Sequence, residues 1–98
     1  MVMKLKRTVD KKGVIRYYNP DIESLHHALV LRISSNGSIT HWKNGSEHRE
    51  DGPAMIFSNG DCWWKINGYW QRYGGLPPIV NADGTVKYWI QPAIFRPG

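Results

Sequence analysis

Four glycines divide the chain almost evenly. Gly13, Gly37, Gly60 and Gly84 stand 24, 23 and 24 residues apart. A period of this length constrains the fold more than any other feature, because each unit must be one supersecondary piece that shares its core with its neighbours. The glycines sit in the strings DKKGVIRYY, SSNGSITHW, FSNGDCWWK and NADGTVKYW. Each has a polar residue before the glycine. Aromatic or histidine pairs follow four and five residues later: Tyr17-Tyr18, His41-Trp42 and Tyr88-Trp89. In the third unit the pair, Trp63-Trp64, falls one position early. The last two units also match at Pro53 and Pro77, Met55 and Ile79, Ile56 and Val80, Trp64 and Tyr88, and Ile66 and Ile90.

Asn-Gly and Asp-Gly supply the positive φ angles of a type I′ hairpin turn, and the flanking β-branched and aromatic residues favour strands. The expected hairpins pair 29–34 with 38–43, 54–58 with 61–66, and 79–81 with 85–90. A second Asn-Gly, at Asn44-Gly45 and Asn67-Gly68, closes two of the units. Pro53 and Pro77 lack an N–H and belong at strand starts. In NPDIESLHHALV, the apolar residues Ile22, Leu25 and Leu29 lie three and four apart, a spacing that admits one short helix near 21–28 and no other. The predicted architecture is mainly all-β, with about four hairpin repeats of ~24 residues forming a curved sheet or a short solenoid. The units are centred on the four glycines within a single domain, 1–98.

If Ser58 opposes Asp61, then Phe57 opposes Cys62 and Met55 opposes Trp64, and these share a face with Ile66. Ala54, Ile56, Trp63 and Lys65 take the other face. Both faces are then apolar. One must be the core; the other is covered by a further layer or left for a partner, and a second copy of the chain can be that partner.

The 98 residues are 41% hydrophobic with a formal net charge of +5, which excludes an acidic mimic of DNA. Much of the positive charge is early, at Lys4, Lys6, Arg7, Lys11, Lys12 and Arg16, either as a solvated end or as a contact for something acidic. Cys62 stands alone, so it forms no intrachain disulfide. It suits a reducing compartment and reads as a small buried hydrophobe. The start of the chain lacks the apolar core of a secretory signal, and no apolar run approaches the length of a membrane span. The expectation is a protein without membrane contact, in the cytoplasm.

The charged knot His48-Arg49-Glu50-Asp51 reads as a salt-bridged turn. Acid–base work by His48 with Glu50 or Asp51 needs a further group brought to the same point, and none is marked. His26, His27, His41 and His48 do not have metal-ligand spacing, and the glycines of YGGLPP lack the Lys-Ser or Lys-Thr of a phosphate loop. No enzyme activity, cofactor or metal is predicted. The aromatics are the open matter. Adjacent Trp63 and Trp64 on a strand must face opposite sides, and Tyr69, Trp70, Arg72 and Tyr73 crowd one turn-rich segment, NGYWQRYGG. Trp, Tyr and Arg predominate at binding hot spots. The candidate partner-binding set is therefore Trp63, Lys65, Tyr69, Trp70, Arg72 and Tyr73, with Arg49. The alternative is a nucleic-acid contact through Lys4, Lys6, Arg7, Lys11, Lys12 and Arg16 with stacked aromatics, although no signature of a known nucleic-acid fold is present.

HREDGPAMIFSNGDCWWKING, echoed in RYGGLPPIVNADGTVKYWIQ, resembles the HREDGPA-type repeats of small phage and bacterial proteins, which are similar in style to MORN repeats. The resemblance spans 25–91 and is close over 45–68. The fourth unit departs from it, keeping Arg72 but losing the histidine and both acids. The resemblance implies a hairpin-built binding or scaffolding surface without enzyme activity, and a phage source. On it rests the expected function: a viral interaction protein that binds a phage or bacterial host protein in the host cytoplasm. Inhibition of a host enzyme or defence factor is the role this implies.

Overall fold

A computed structural model of the chain describes residues 4–88. These residues are mainly β. The strands are β1 (Lys6–Val9), β2 (Ile15–Tyr18), β3 (Leu29–Ile33), β4 (Ile39–Lys43), β5 (Ser46–Glu47), β6 (Met55–Ile56), β7 (Cys62–Trp63), β8 (Lys65–Ile66), β9 (Tyr69–Trp70), β10 (Ile79–Val80) and β11 (Val86–Lys87). Eight of them form one antiparallel path, β1-β2-β3-β4-β6-β7-β10-β11. β5 pairs with the far half of β4, and β8 and β9 form a hairpin of their own. The expected hairpins lie where the glycine period places them, but the strand expected over 61–66 is broken: β7 ends at Trp63, and Lys65–Ile66 pairs with Tyr69–Trp70 instead. The last predicted strand runs past the described residues, and Trp89 and Ile90 lie outside them.

The four glycine turns differ from expectation. In each, the glycine N–H donates to the carbonyl three residues back: Gly13 to Asp10, Gly37 to Ser34, Gly60 to Phe57 and Gly84 to Asn81. The residue before the loop donates to the residue after it, as Phe57 does to Asp61 at 2.8 Å. These are three-residue loops, a type I turn closed by a left-handed glycine. They are not two-residue type I′ turns, because Asn36, Asn59 and Asp83 keep negative φ. Their side chains do other work: each accepts a hydrogen bond at 3.0 Å from the backbone N–H two residues on, at Ser38, Asp61 and Thr85. That local bond selects the type I turn. The first unit has Lys12 at this place, and Asp10 Oδ1 accepts from Lys12 and Val14 instead. The true type I′ turns are Asn44-Gly45 and Asn67-Gly68, where both residues of each pair have positive φ.

The extra loop residue shifts the register by one. Met55 opposes Trp63 and Ile56 opposes Cys62, so the expected pairs Phe57–Cys62 and Met55–Trp64 are wrong. A one-residue slip exchanges the two faces. Met55 and Phe57 now share a face with Trp63, and Ile56 shares one with Cys62. Followed across the whole path, one row reads Thr8, Arg16, Arg32, Thr40, Met55, Trp63, Ile79, Lys87. The next row, on the opposite face, reads Val9, Ile15, Ile33, Ile39, Ile56, Cys62, Val80, Val86.

The core is thin and lies on the first of these faces. Thr40 and Ile79 are buried there. The type I′ hairpins β4-β5 and β8-β9 lie side by side, joined by Gly68 N–H to Glu47 O and Arg49 N–H to Lys65 O. Trp70 of β9 packs its ring 5.6 Å from that of Trp63. The predicted helix is a single turn, α1 (Leu25–Ala28), whose buried Ala28 carbonyl accepts from Asn19 N–H. A 3₁₀ turn at Tyr73–Gly75, not anticipated, uses left-handed Gly74 and Gly75. Pro53 and Pro77 stand just ahead of β6 and β10. Cys62 is half-buried, not buried, because the stripe it belongs to is open.

Candidate functional site

The charged knot follows β5 and turns the chain toward β6. Its backbone is held by His48 N–H to His41 O and by Arg49 N–H to Lys65 O, both at 3.1 Å. His48 is buried. Its Nδ1 accepts from Asn67 N–H at 2.9 Å, which leaves the proton on Nε2 to be donated to Glu50 Oε2 at 3.0 Å. Both ring nitrogens are thereby committed, and His48 has no lone pair to offer a substrate. Arg49 donates from Nε to Asp51 Oδ1 at 3.0 Å and from Nη1 to Pro53 O at 3.3 Å. The Arg49 hydrogen bond, and next its charge, hold Asp51 below the usual carboxylate range. A Cβ at Gly52 would lie 2.8 Å from Arg49 Cζ, so any side chain there displaces the guanidinium.

The next unit repeats this backbone with different side chains. Trp64 N–H donates to Pro78 O as His41 N–H does to Ala54 O, and Gln71 N–H donates to Trp64 O as His48 N–H does to His41 O. Arg72 Nη1 donates to Pro77 O at 3.2 Å, the counterpart of Arg49 on Pro53. Trp64 thus stands where His41 stands, and Arg72 where Arg49 stands. Arg72 Cζ lies 3.8 Å from the Trp64 ring centre, a cation–π stack. In the earlier unit the imidazole of His41 is pushed toward its neutral form, first by burial and then by the charge of Arg49. A ring thus stands near an arginine in both units, and in the earlier one the arginine's charge helps to disfavour the ring's own.

A cleft of about 460 Å³ opens between the two units, bounded by Arg49, Asp51, Trp64, Gln71, Arg72 and Tyr73. Tyr73 is exposed at its rim. Among the described residues, Arg49 has a carboxylate partner and Arg72 has none. A guanidinium has five N–H donors, so Arg72, with one on Pro77, keeps capacity for an incoming carboxylate.

The predicted partner-binding residues fall into separate places. Arg49, Arg72 and Tyr73 meet at the cleft. Trp63, Lys65 and Trp70 form another cluster, with Lys65 Nζ 5.4 Å from the Trp63 ring and 4.7 Å from that of Trp70. Lys65 Nζ also pairs with Glu47 Oε1 at 2.6 Å, and Phe57 packs edge-on against Trp63 at 4.7 Å. This cluster joins the β8-β9 hairpin to the main sheet. Tyr69 is exposed beside it. Trp64, which sequence reasoning left out of the site, is the platform of the cleft. The one signal for it was the early aromatic pair of the third unit: β7 ends at Trp63, so Trp64 takes the position that His41 fills one unit earlier.

Of the basic set, Lys4, Lys6, Arg7, Lys11 and Lys12 are exposed. Arg16 is paired with Asp10 at 3.1 Å, and it faces Arg32 across the ladder. Lys6 lies opposite Tyr18, and Arg7 opposite Tyr17. No group of three or more His, Cys, Asp or Glu among the described residues is placed to hold a metal, and no helix among them is long and apolar enough to cross a membrane. No family model matches the chain, and neither a curated protein nor a solved structure matches it.

Proposed function

We propose that this chain is a non-enzymatic, phage-type interaction protein, built of four HREDGPA-style, MORN-like hairpin repeats on a curved sheet or short solenoid. It binds a bacterial host or phage protein at the cleft between Arg49 and Arg72, in the host cytoplasm, and restrains a host enzyme or defence factor. The observation that carries the reading is the Arg72 guanidinium stacked 3.8 Å from Trp64, lacking a carboxylate among the described residues and opening on a cleft rimmed by exposed Tyr73. Such a group receives a carboxylate well: the stack holds it flat and its remaining donors suit a bidentate pair. The partner accordingly presents an Asp or Glu, flanked by apolar surface for Tyr73.

The test is capture from bacterial lysate by the tagged chain, with and without nuclease, using wild type and Arg72→Ala. A stoichiometric protein band that survives nuclease and is lost with Arg72→Ala is expected. A band that ignores the substitution overturns the assignment to this cleft.

A second reading places nucleic acid on β1 and β2, supported by the cross-strand pairs Lys6–Tyr18 and Arg7–Tyr17, which join a phosphate-seeking cation to a stacking ring. It predicts recovery of nucleic acid from the same lysate. Lys4→Ala, Lys6→Ala and Lys11→Ala together would then flatten the salt dependence of binding.

A further inference from the structure

Two arginines stand directly opposite each other on neighbouring strands. Arg16 of β2 is the cross-strand partner of Arg32 of β3, and Thr8 of β1 extends the same row. Opposed side chains start about 4.5–5.5 Å apart, and like charges at that spacing destabilise a sheet. The pair carries a second cost. The Arg32 guanidinium has no hydrogen bond or ion pair among the described residues, and its Nε is buried without an acceptor. A buried donor left unmatched is itself unfavourable. Two such costs on one pair of residues mark a place where the fold alone does not explain the side chains.

We infer that Arg16 and Arg32, with Lys6 and the Thr8 hydroxyl, form a binding site for one phosphate group. Lys6 lies two residues before Thr8 and so on the same face. It is the diagonal neighbour of Arg16, since its own partner is Tyr18, and a diagonal is within reach of long side chains. The opposing charge is Asp10, whose Oδ2 takes Arg16 Nη1 at 3.1 Å while its Oδ1 accepts from the backbone N–H groups of Lys12 and Val14. Three cations thus face one carboxylate, and the excess of two positive charges matches a phosphate monoester. A guanidinium has five N–H donors. Arg16 spends one on Asp10, and burial of Nε leaves the two Nη groups of Arg32 for a ligand. One arginine suffices for the two oxygens of a carboxylate. Two arginines on adjacent strands suit the three oxygens of a phosphate, and Tyr18 stands beside them for the group that the phosphate carries.

The site is independent of the Arg72 cleft, which none of these residues lines. It also differs from the nucleic-acid reading, which uses Arg7–Tyr17 on the other face and leaves Arg32 out. A phosphate on a small molecule fills it as well as one on a strand. Arg16 and Lys6 remain partly or fully open to solvent, so the expected dissociation constant is modest, between about 10 μM and 1 mM.

Calorimetric titration of the full chain with pyrophosphate, against sodium chloride of matched ionic strength, is the test. One pyrophosphate per chain should bind. Arg32→Gln should weaken it about tenfold or more, and Lys6→Ala, at an exposed side chain, about two- to fivefold. Lys43→Ala removes an exposed cation from the opposite face and should change nothing. Without ligand, the urea midpoint of Arg32→Gln should be unchanged or raised, because a like-charge pair is relieved. Pyrophosphate should raise the midpoint of wild type and not that of Arg32→Gln. Competition by adenosine monophosphate but not by oligothymidylate assigns the site to a small molecule, and the converse assigns it to a strand; either supports the phosphate site. Absence of pyrophosphate binding overturns the inference, and so does an equal loss in Arg32→Gln and Lys43→Ala, which would mean a diffuse charge effect. Strand binding indifferent to Arg32→Gln would overturn this site and leave the nucleic-acid reading standing; pyrophosphate binding without strand binding would do the reverse.

Discussion

Replacing Gly52 with alanine asks whether the glycine of the charged loop exists to seat Arg49. Gly52 is not in the left-handed region, so alanine meets no backbone penalty of the kind that protects a turn glycine. Its Cβ would instead fall 2.8 Å from Arg49 Cζ and 3.0 Å from Nε and Nη1. The guanidinium is the end of a flexible side chain and swings away. In doing so it gives up its hydrogen bond to Pro53 O, worth about 1 kcal/mol, and its contact with the exposed carboxylate of Asp51, which adds little. Alanine also reduces the freedom of the unfolded chain, a stabilisation of about 0.4–1 kcal/mol. The two effects nearly cancel, so Gly52→Ala alone should shift stability by less than about 0.6 kcal/mol. The decisive measurement is the double-mutant cycle. With Arg49→Ala in place the new Cβ has nothing to displace, and Gly52→Ala should then stabilise by its full ~0.4–1 kcal/mol. Urea unfolding followed by tryptophan fluorescence should give a coupling of about 1 kcal/mol between the two positions. A coupling within the ~0.3 kcal/mol scatter of independent sites refutes the reasoning and returns Gly52 to a role in the loop backbone.

Two further outcomes follow from the same geometry. Asn67 sits at φ 51°, so Asn67→Gly should leave the urea midpoint unchanged or raised. Asn59 has negative φ and accepts from Asp61 N–H, so Asn59→Gly should cost about 1 kcal/mol; the opposite ranking would make the glycine loops type I′ after all. The depressed proton affinity of His41, caused by burial and then Arg49, means that the unfolded chain takes up this proton at higher pH than the folded one. Stability is then full above about pH 6.5 and falls as pH drops through the window beneath it. His41→Phe should flatten that slope in pH-dependent urea titrations, and an unchanged slope would contradict the assignment.

The repeat period was legible because turn glycines and strand aromatics report local backbone needs, and those are fixed within a few residues of each other. Register was not, and one detail explains why. Asn-Gly fits a type I′ turn by its φ preferences alone, and it is one at Asn44 and Asn67. It equally fits the last two positions of a three-residue loop, where Asn stays right-handed and its side chain bonds two residues ahead. The residue before the pair separates the two cases: Trp42-Lys43 and Lys65-Ile66 continue their strands into the turn, whereas Ser35 and Ser58 do not. Missing that, the sequence reading placed Trp63 with Ile56. It also split an unbroken apolar row between two faces, so the row became visible only once the cross-strand partners were known.

The fourth unit shows how a departure from a repeat can be read two ways. In the sequence it is decay: the histidine and both acids of the charged knot are gone, and Gln71, Tyr73 and Gly74 stand in their places. In the structure the knot's backbone bond to the preceding strand persists without them, since Gln71 N–H repeats that of His48, and the Arg72 side chain repeats the bond of Arg49 to the proline carbonyl. The acids are therefore not required to form the loop. In the third unit Asp51 occupies the arginine. Removing that carboxylate while exchanging His41 for the larger ring of Trp64 keeps the guanidinium in position by stacking, worth about 0.5–1 kcal/mol at a part-exposed site, and leaves its other donors for a ligand.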